Sequence, residues 1–362
     1  MYPTIKHIDD VLPHIENRSD IIVINKTDYF VVDYVYNADD TFDNEIRREC
    51  RGLKFDKNGD IIARPLHKFF NLNERLETQN SVLDFGKPHR VLDKLDGTMV
   101  HGCILNGELV LMTRKGVTEH ALRAFELLTE GQKKHLKICC YRGYTPILEY
   151  IGPENQIVLF YEEPKLIWLA VRNIITGEYN RDYDTGFFEY PYEYDYHDVQ
   201  TLVERTRDLK DKEGVVVVWD DGFRIKIKAD EYVEKHKHTV GVSREIDYLH
   251  AIFDDTIDDI LPLKSGPFRE RLDKYVYNVN NVINFWCQTV DNIVSNGRLL
   301  DQKTFAIEHM RGYQQVIKNI CFDLRRNGGN IYETVVKHFK NFLKQQKDLD
   351  ENRYLIGVKL DV

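Results

Sequence analysis

Lys94 stands two residues before an Asp-Gly pair, in Val91-Leu92-Asp93-Lys94-Leu95-Asp96-Gly97-Thr98-Met99-Val100. Apolar residues lead up to the lysine and resume after Gly97, so the stretch reads as a strand, a tight turn and a return. Glycine, and to a lesser degree aspartate, tolerates positive φ in such a turn. A lysine amine held at a fixed, partly desolvated point on the rim of a sheet is a candidate covalent nucleophile. An ordinary hairpin uses the same letters, and Lys-x-Asp-Gly alone does not decide between the two.

Other charged positions bear on that choice. Glu149 follows Pro146-Ile147-Leu148 in a largely apolar run, either as the partner of a nearby cation or as a ligand for a ribose hydroxyl or metal-bound water. Glu213-Gly214 heads a valine-rich strand, where a turn residue is expected in any case. In Arg224-Ile225-Lys226-Ile227-Lys228 the period of two puts three cations on one face and the isoleucines on the other. That pattern suits a solvated strand face. It equally suits a polyphosphate clamp that depresses the pKa of a neighbouring lysine, leaving more neutral amine to attack phosphorus. Glu49-Cys50-Arg51-Gly52, Arg64-Pro65-Leu66-His67-Lys68-Phe69-Phe70-Asn71 and Thr113-Arg114-Lys115-Gly116 also carry charge where a plain strand needs none. Trp168 and Leu169 fall on opposite faces of one strand, so either can line a core or pack on a nucleobase. Cys139-Cys140 and His236-Lys237-His238 lack metal-site spacing. With no Gly-x4-Gly-Lys-Ser/Thr, any use of ATP is not of the Walker type.

The elements that must position these groups change character along the chain. Up to about residue 235, β-branched and aromatic runs alternate with turn signals: Asp20–Ile24, Tyr29–Tyr36, Ile61–Ala63, Ile157–Tyr161, Leu166–Val171 and Val215–Trp219. Asn106-Gly107 between two apolar runs predicts a hairpin. One helix is expected among these strands, near Thr118–Leu128. Beyond about 240 the period changes: Val276, Val279, Ile283, Trp286 and Val290 recur at helical spacing, as do Tyr332, Val335, Val336, Phe339 and Leu343. Asp301 is a candidate N-cap for a helix running to Met310. The expectation is an α+β body at 1–238 followed by an all-helical domain at 239–362.

With 362 residues and 42% hydrophobic content, two packed domains are within reach. A formal net charge of −9 argues against nonspecific coating of nucleic acid, which rests on many phosphate contacts. A local basic site inside an acidic shell remains compatible with it. No apolar run approaches bilayer length, the first residues lack a signal-peptide pattern, and the six scattered cysteines fit reduced thiols in a cytoplasm.

Lys94-Leu95-Asp96-Gly97 followed by Leu148-Glu149-Tyr150, Glu213-Gly214 and Lys226-Ile227-Lys228 resembles the covalent nucleotidyltransferase superfamily of ligases and capping enzymes. With Glu49-Cys50-Arg51-Gly52, His67-Lys68-Phe69-Phe70-Asn71-Leu72-Asn73-Glu74 and Thr176-Gly177-Glu178-Tyr179, residues 30–235 look like the ATP-dependent RNA ligases of the T-even phage tRNA-repair type. The likeness thins through Ile252–Ile260, is poor before residue 30, and departs at Trp168, where the family is aliphatic.

The resemblance implies an ATP-grasp-like nucleotidyltransferase fold of antiparallel sheets with helices. It implies transfer of AMP from ATP to Lys94, then to an RNA 5′-phosphate, then sealing by a 3′-OH. It places Glu149 at the ribose and the metal shell, Glu213 at a metal-bound water or the Lys94 amine, and Lys226 and Lys228 at the α-phosphate. Arg51, Lys68 and Lys115 would bind outer phosphates or the RNA 5′-phosphate, and Tyr36 would reach toward the γ-phosphate. Asp258 and Asp259 match an acidic pair that holds a second metal through water, although a helix N-terminus favours such a pair anyway. Mg²⁺, or Mn²⁺ in its place, would accompany ATP. The expected partner is RNA with 5′-phosphate and 3′-OH ends, such as a nicked tRNA anticodon loop, bound by a monomer in the cytoplasm (the host cell's, if the chain is phage-encoded). DNA ligases and capping enzymes share the core motifs but usually append an OB-fold, against which the late helical period speaks. An RNA-end-binding phage protein without catalysis is the other alternative.

Overall fold

The β-branched runs of the first two-thirds of the chain pair into three sheets in a computed structural model. It describes residues 2–18, 20–34, 40–180, 183, 186–196, 198–233, 244–254, 256–261 and 266–361, with backbone only at 258, 259 and 266. Two compact units result, one of Met1–Tyr34 with Asp39–Val240, the other of Val35–Ala38 with Gly241–Val362.

In the first unit, β1 (Ile21–Asn25), β2 (Tyr29–Tyr34), β3 (Arg51–Asp56) and β4 (Ile61–Ala63) form an antiparallel meander. The second sheet has the order β10-β9-β7-β8, from β7 (Thr98–Leu105), β8 (Glu108–Met112), β9 (Tyr144–Ile151) and β10 (Lys165–Asn173). The third has the order β11-β6-β12-β13-β5, from β5 (Phe70–Asn71), β6 (His89–Lys94), β11 (Glu193–Tyr194), β12 (Gly214–Trp219) and β13 (Arg224–Lys228). Every strand pairing is antiparallel except that of β13 with β5. Asn106 and Gly107, with φ of 51° and 84°, turn β7 into β8 as expected.

One face of the second sheet makes a core of its own. Val100, Leu148 and Trp168 pack there with Ala121 and Ala124 of helix Glu119–Glu126 and Leu136 and Cys139 of helix Glu130–Tyr141. Trp168, 3% exposed, stacks on Tyr183 at 5.9 Å, so it is core rather than a surface for a base. The opposite face of β9, carrying Glu149, is left for the site.

Three expectations need correction. Helix Glu119–Glu126 is capped by Thr118, but helices Glu45–Glu49, Glu130–Tyr141 and Val199–Arg207 also lie among the strands. Ile157–Tyr161 is not a strand: the amides of Val158 and Leu159 donate to the Asp96 carboxylate at 2.8 and 2.6 Å, which takes them out of any ladder. Lys-x-Asp-Gly is not a hairpin either, because β6 belongs to the third sheet and β7 to the second. Residues 95–97 carry the chain between sheets, and Gly97 is absent from the positive-φ glycines.

The described residues of the second unit form helices and no strand. The longest, Gly266–Asn296, buries Val276, Val279, Ile283 and Val290 completely, and Trp286 donates its indole N–H to the Leu355 carbonyl at 2.9 Å. Helix Ile331–Phe342 buries Val335, Val336 and Phe339. Asp301 caps Gln302–Thr304 by accepting from the amides of Lys303 and Thr304, and a π-helical turn continues to His309. Among the described residues no helix is long and apolar enough to cross a membrane.

Candidate active site

Strand register brings the separated motifs into one row. Gly214, the first residue of β12, pairs with Lys94 of β6 on one side and Lys228 of β13 on the other. Two strand spacings set those lysines roughly 10 Å apart along the backbone, and Glu213 fills the space between them. Its carboxylate lies 2.6 Å from Lys94 Nζ and 3.7 Å from Lys228 Nζ, with the Glu213 side chain 4% exposed and that of Lys94 24%. Gly214 has φ +145°, and a Cβ there would strike the Ile227 carbonyl and stand 2.8 Å from Lys228 Cα. Only glycine lets β12 start in this row. Lys226 follows on the same strand as Lys228, half-buried like it, with Asn71 of β5 beside it. Arg224, by contrast, is buried with its guanidinium 4.1 Å from the centre of the Tyr179 ring. The expected three-cation clamp is therefore a pair.

The crossing from β6 to β7 is braced at Asp96, which is 1% exposed. Besides the two loop amides, its carboxylate accepts from the Tyr232 hydroxyl at 2.7 Å, while the Tyr161 hydroxyl accepts from the Asp96 amide at 3.0 Å. A Cβ on Gly97 would collide with the Tyr150 carbonyl and lie 2.7 Å from Ile151 Cγ2. This glycine is set by the close approach of β9, not by turn geometry. That approach brings Glu149, paired with Met99 across β7 and β9, toward Lys94. Burial pushes the Glu149 carboxyl up to about 8; the Lys94 and Arg51 cations oppose the rise, and Glu213 and Asp96 add to it.

Arg51 opens β3 with its guanidinium 3.5 Å from Met99 Sδ. Lys68 lies over three rings, 4.6 Å from the centre of Tyr34, 5.1 Å from Phe42 and 5.9 Å from Phe70. Lys115 sits half-buried in the turn closed by Thr113 and Gly116, next to Arg114, which pairs with Asp33 at 3.3 Å. Tyr36 and His236–His238 lie outside the described residues, as do the side chains of Asp258 and Asp259.

Part of the motif set is scaffold. Glu49 receives Arg172 through two bonds of 2.9 Å and Arg64 at 3.0 and 3.1 Å, all three groups buried. Burial raises the Glu49 pKa, but the two guanidiniums overturn that and hold it at about 2. Tyr179 stacks under Arg172 and Arg224 and bonds His67 at 2.9 Å. These links tie helix Glu45–Glu49, the residue just past β4, β10 and β13 together. Sequence reasoning named Arg64 only as part of a charged segment and missed Arg172, Tyr232 and the buried Lys54; the one local mark of Arg172 and Lys54 is a charge in or beside an apolar run.

Among the described residues no group of three or more His, Cys, Asp or Glu side chains is placed to hold a metal. A magnesium-like ion carried on substrate phosphates needs only one or two carboxylates. Glu149 fits that need, since a carboxyl held protonated by burial gains most from an arriving cation. Chemically, the row offers an amine, a proton acceptor in contact with it, and cations on either side.

The RNA ligase family matches residues 49–232, a little over half of the 362-residue chain. A Thermovibrio ammonificans protein provisionally named an RNA ligase is 27% identical over 379 aligned positions, covering 98% of this chain and 96% of its own. RNA ligase 1 of bacteriophage TS2126 is 30% identical over 159 residues, 41% of this chain and 40% of that protein. Among solved structures, Naegleria gruberi RNA ligase with PPi superposes at a TM-score of 0.35 and 19% identity, over 42% of this chain and 52% of that one.

Proposed function

We propose that this chain, which belongs to the RNA ligase family, joins RNA ends through a covalent lysyl–AMP formed on Lys94. The contact of Lys94 with Glu213 at 2.6 Å, in one row with Lys228, carries the reading. To attack the α-phosphate of ATP the lysine must shed a proton, and Glu213 is the acceptor in reach. The Nζ–P bond forms as the bond to the β-phosphate oxygen breaks and pyrophosphate leaves. Lys226 and Lys228 offset charge on the phosphoryl oxygens, and Arg51, Lys68 and Lys115 hold the outer phosphates. Glu149 positions the ribose and, once charged, a divalent ion. Such an ion, Mg²⁺ or Mn²⁺, would supply further neutralisation of phosphate charge.

In the second step an oxygen of the RNA 5′-phosphate attacks the same phosphorus. The N–P bond breaks, and Lys94 recovers its proton as the AMP-capped end forms. A 3′-OH then attacks the RNA phosphate and AMP departs. Covalent capture divides one difficult displacement into easier ones. The helical second unit would select the RNA, with a nicked tRNA anticodon loop as the substrate to test first. Its helices stand where DNA ligases and capping enzymes carry an OB-fold, which favours an RNA substrate over those relatives.

Incubation with α-labelled ATP and Mg²⁺, followed by denaturing electrophoresis, tests the first step. A covalent label abolished by Lys94→Ala is expected. Wild-type protein that binds RNA ends but never takes up label would replace this reading with one of end binding alone. Sealing assays on single-stranded RNA, nicked tRNA and nicked DNA rank the substrates.

A further inference from the structure

The cations proposed for the phosphate chain come from two segments far apart in sequence, the start of β3 at Arg51-Gly52 and the turn at Thr113–Gly116. One buried amine joins them. Lys54 of β3 is fully buried, and its Nζ donates to the Gly52 carbonyl at 2.5 Å and the Arg114 carbonyl at 2.9 Å. The two segments touch at this point: a Cβ on Gly52 would stand 2.6 Å from the Arg114 oxygen. Among the described residues no carboxylate stands within ion-pair distance of Lys54. A buried ammonium without a counter-ion is costly, and a leucine or methionine would fill the same space without that cost. The two carbonyls are the acceptors that its Nζ satisfies among the described residues.

We propose that Lys54 is a positioning residue for the nucleotide: its ammonium staples the start of β3 at Arg51-Gly52 to the Thr113–Gly116 turn, so that Arg51 and Lys115 meet the same phosphate chain. The inference rests on the ATP-dependent reading above. Mutual repulsion of those cations would otherwise push the two segments apart in the absence of substrate.

The staple is tunable by pH. Burial lowers the Lys54 amine to about 7, against the opposing influence of Asp33 on β2 and Cys103 on β7, with Lys26 and Arg114 adding to the fall. His101 of β7, buried with both ring nitrogens unpartnered, also faces the charges of Lys54 and Arg51. Burial pushes the Cys103 thiol up to about 12 and the His101 imidazole well down, so neither titrates alongside Lys54. As pH rises through 7 the two carbonyls lose a charge-assisted donor, and the two segments loosen.

The test compares wild type, Lys54→Met and Lys54→Arg by ATP binding and by covalent labelling between pH 6 and 9, with thermal melts as a control. At pH 6.5, Lys54→Met is expected to weaken ATP binding about tenfold, the loss of one charge-assisted hydrogen bond, with maximal labelling changed little and the melt unchanged or raised. The gap should close toward pH 8.5. Lys54→Arg, permanently charged, should bind like wild type at low pH and hold that affinity at high pH. Equal ATP affinity of folded Lys54→Met and wild type at every pH overturns the proposal, as does a Lys54→Arg profile that follows wild type if Lys54→Met fails to fold. Wild type that binds ATP without taking up label would defeat the lysyl–AMP reading instead, and the binding comparison would still decide Lys54.

Discussion

Tyr232 donates its hydroxyl to the Asp96 carboxylate at 2.7 Å, across 136 positions of the chain. The bond joins the segment after β13 to the crossing that carries Lys94, and the same carboxylate holds the amides of Val158 and Leu159. Hydrogen bonds to a charged group contribute roughly 1.5–3 kcal/mol each, and stranding a buried donor costs about as much. Tyr232→Phe should therefore lower the melting temperature of the first unit by about 3–12 °C. Asp96→Ala should lower it further and slow labelling of Lys94. Thermal melts paired with label uptake check both, and an Asp96→Ala protein as stable and as active as wild type would remove the brace.

Glu213 serves two lysines at once. Glu213→Gln keeps the shape but cannot take the Lys94 proton, so labelling should fall by at least about a hundredfold, the usual scale for losing an acid–base group. ATP binding should change far less, because Lys226, Lys228, Arg51 and Lys68 remain. Separate measurement of ATP affinity and labelling rate distinguishes this outcome from a simple loss of affinity.

Glu149 makes stability depend on pH with a definite sign. Its carboxyl rises from an ordinary 4.5 to about 8 in the fold, so the folded state binds the proton more tightly than the unfolded one. The stabilisation is full below about 4.5 and disappears as pH climbs through about 8. Without ATP, wild type should lose melting temperature across that window by an increment absent from Glu149→Gln, so that the variant becomes relatively more stable at higher pH. Lys54 acts in the opposite sense above 7, where its depressed pKa lets stability recover; hence the comparison must be between proteins that share it. Parallel melting curves for the two from pH 5 to 8 would contradict the assignment.

What the chain reveals about itself follows the locality of the signal. The apolar run Val215–Trp219, the alternation in Arg224–Lys228, the Asn106-Gly107 turn and the period of Gly266–Asn296 depend on near neighbours, and each is where the letters place it. Ile157–Tyr161 misleads because its amides are claimed by Asp96, some 60 residues earlier. Helix Glu130–Tyr141 hides because Gln132, Lys133, Lys134 and His135 dilute its apolar stripe; its one local mark is the Thr129–Gln132 capping box. In the site, Lys94, Glu213 and Lys228 were legible as motif letters, while their meeting depends on the Gly214 register. Arg224 sits on the predicted strand face, yet its guanidinium serves Tyr179. Alternation gives a side, not a destination.

Gly97 separates two explanations of the same letter. If it were there for a left-handed turn, asparagine would be tolerated and alanine would be strained in its own backbone. Its actual constraint is the Tyr150 carbonyl and Ile151 Cγ2 of β9, which leave no room for a Cβ. Gly97→Ala and Gly97→Asn should therefore be about equally harmful, each pushing the crossing off β9 and moving Lys94 relative to Glu149. A displacement near 1 Å at a reacting group costs on the order of a hundredfold in rate, whereas a clash of this size destabilises by about 1–3 kcal/mol. Labelling should thus collapse in proteins that still melt cooperatively. Asparagine restoring the rate while alanine does not would return the site to turn geometry; equal loss in both, with ATP affinity largely kept, is the outcome that the packing of β9 requires.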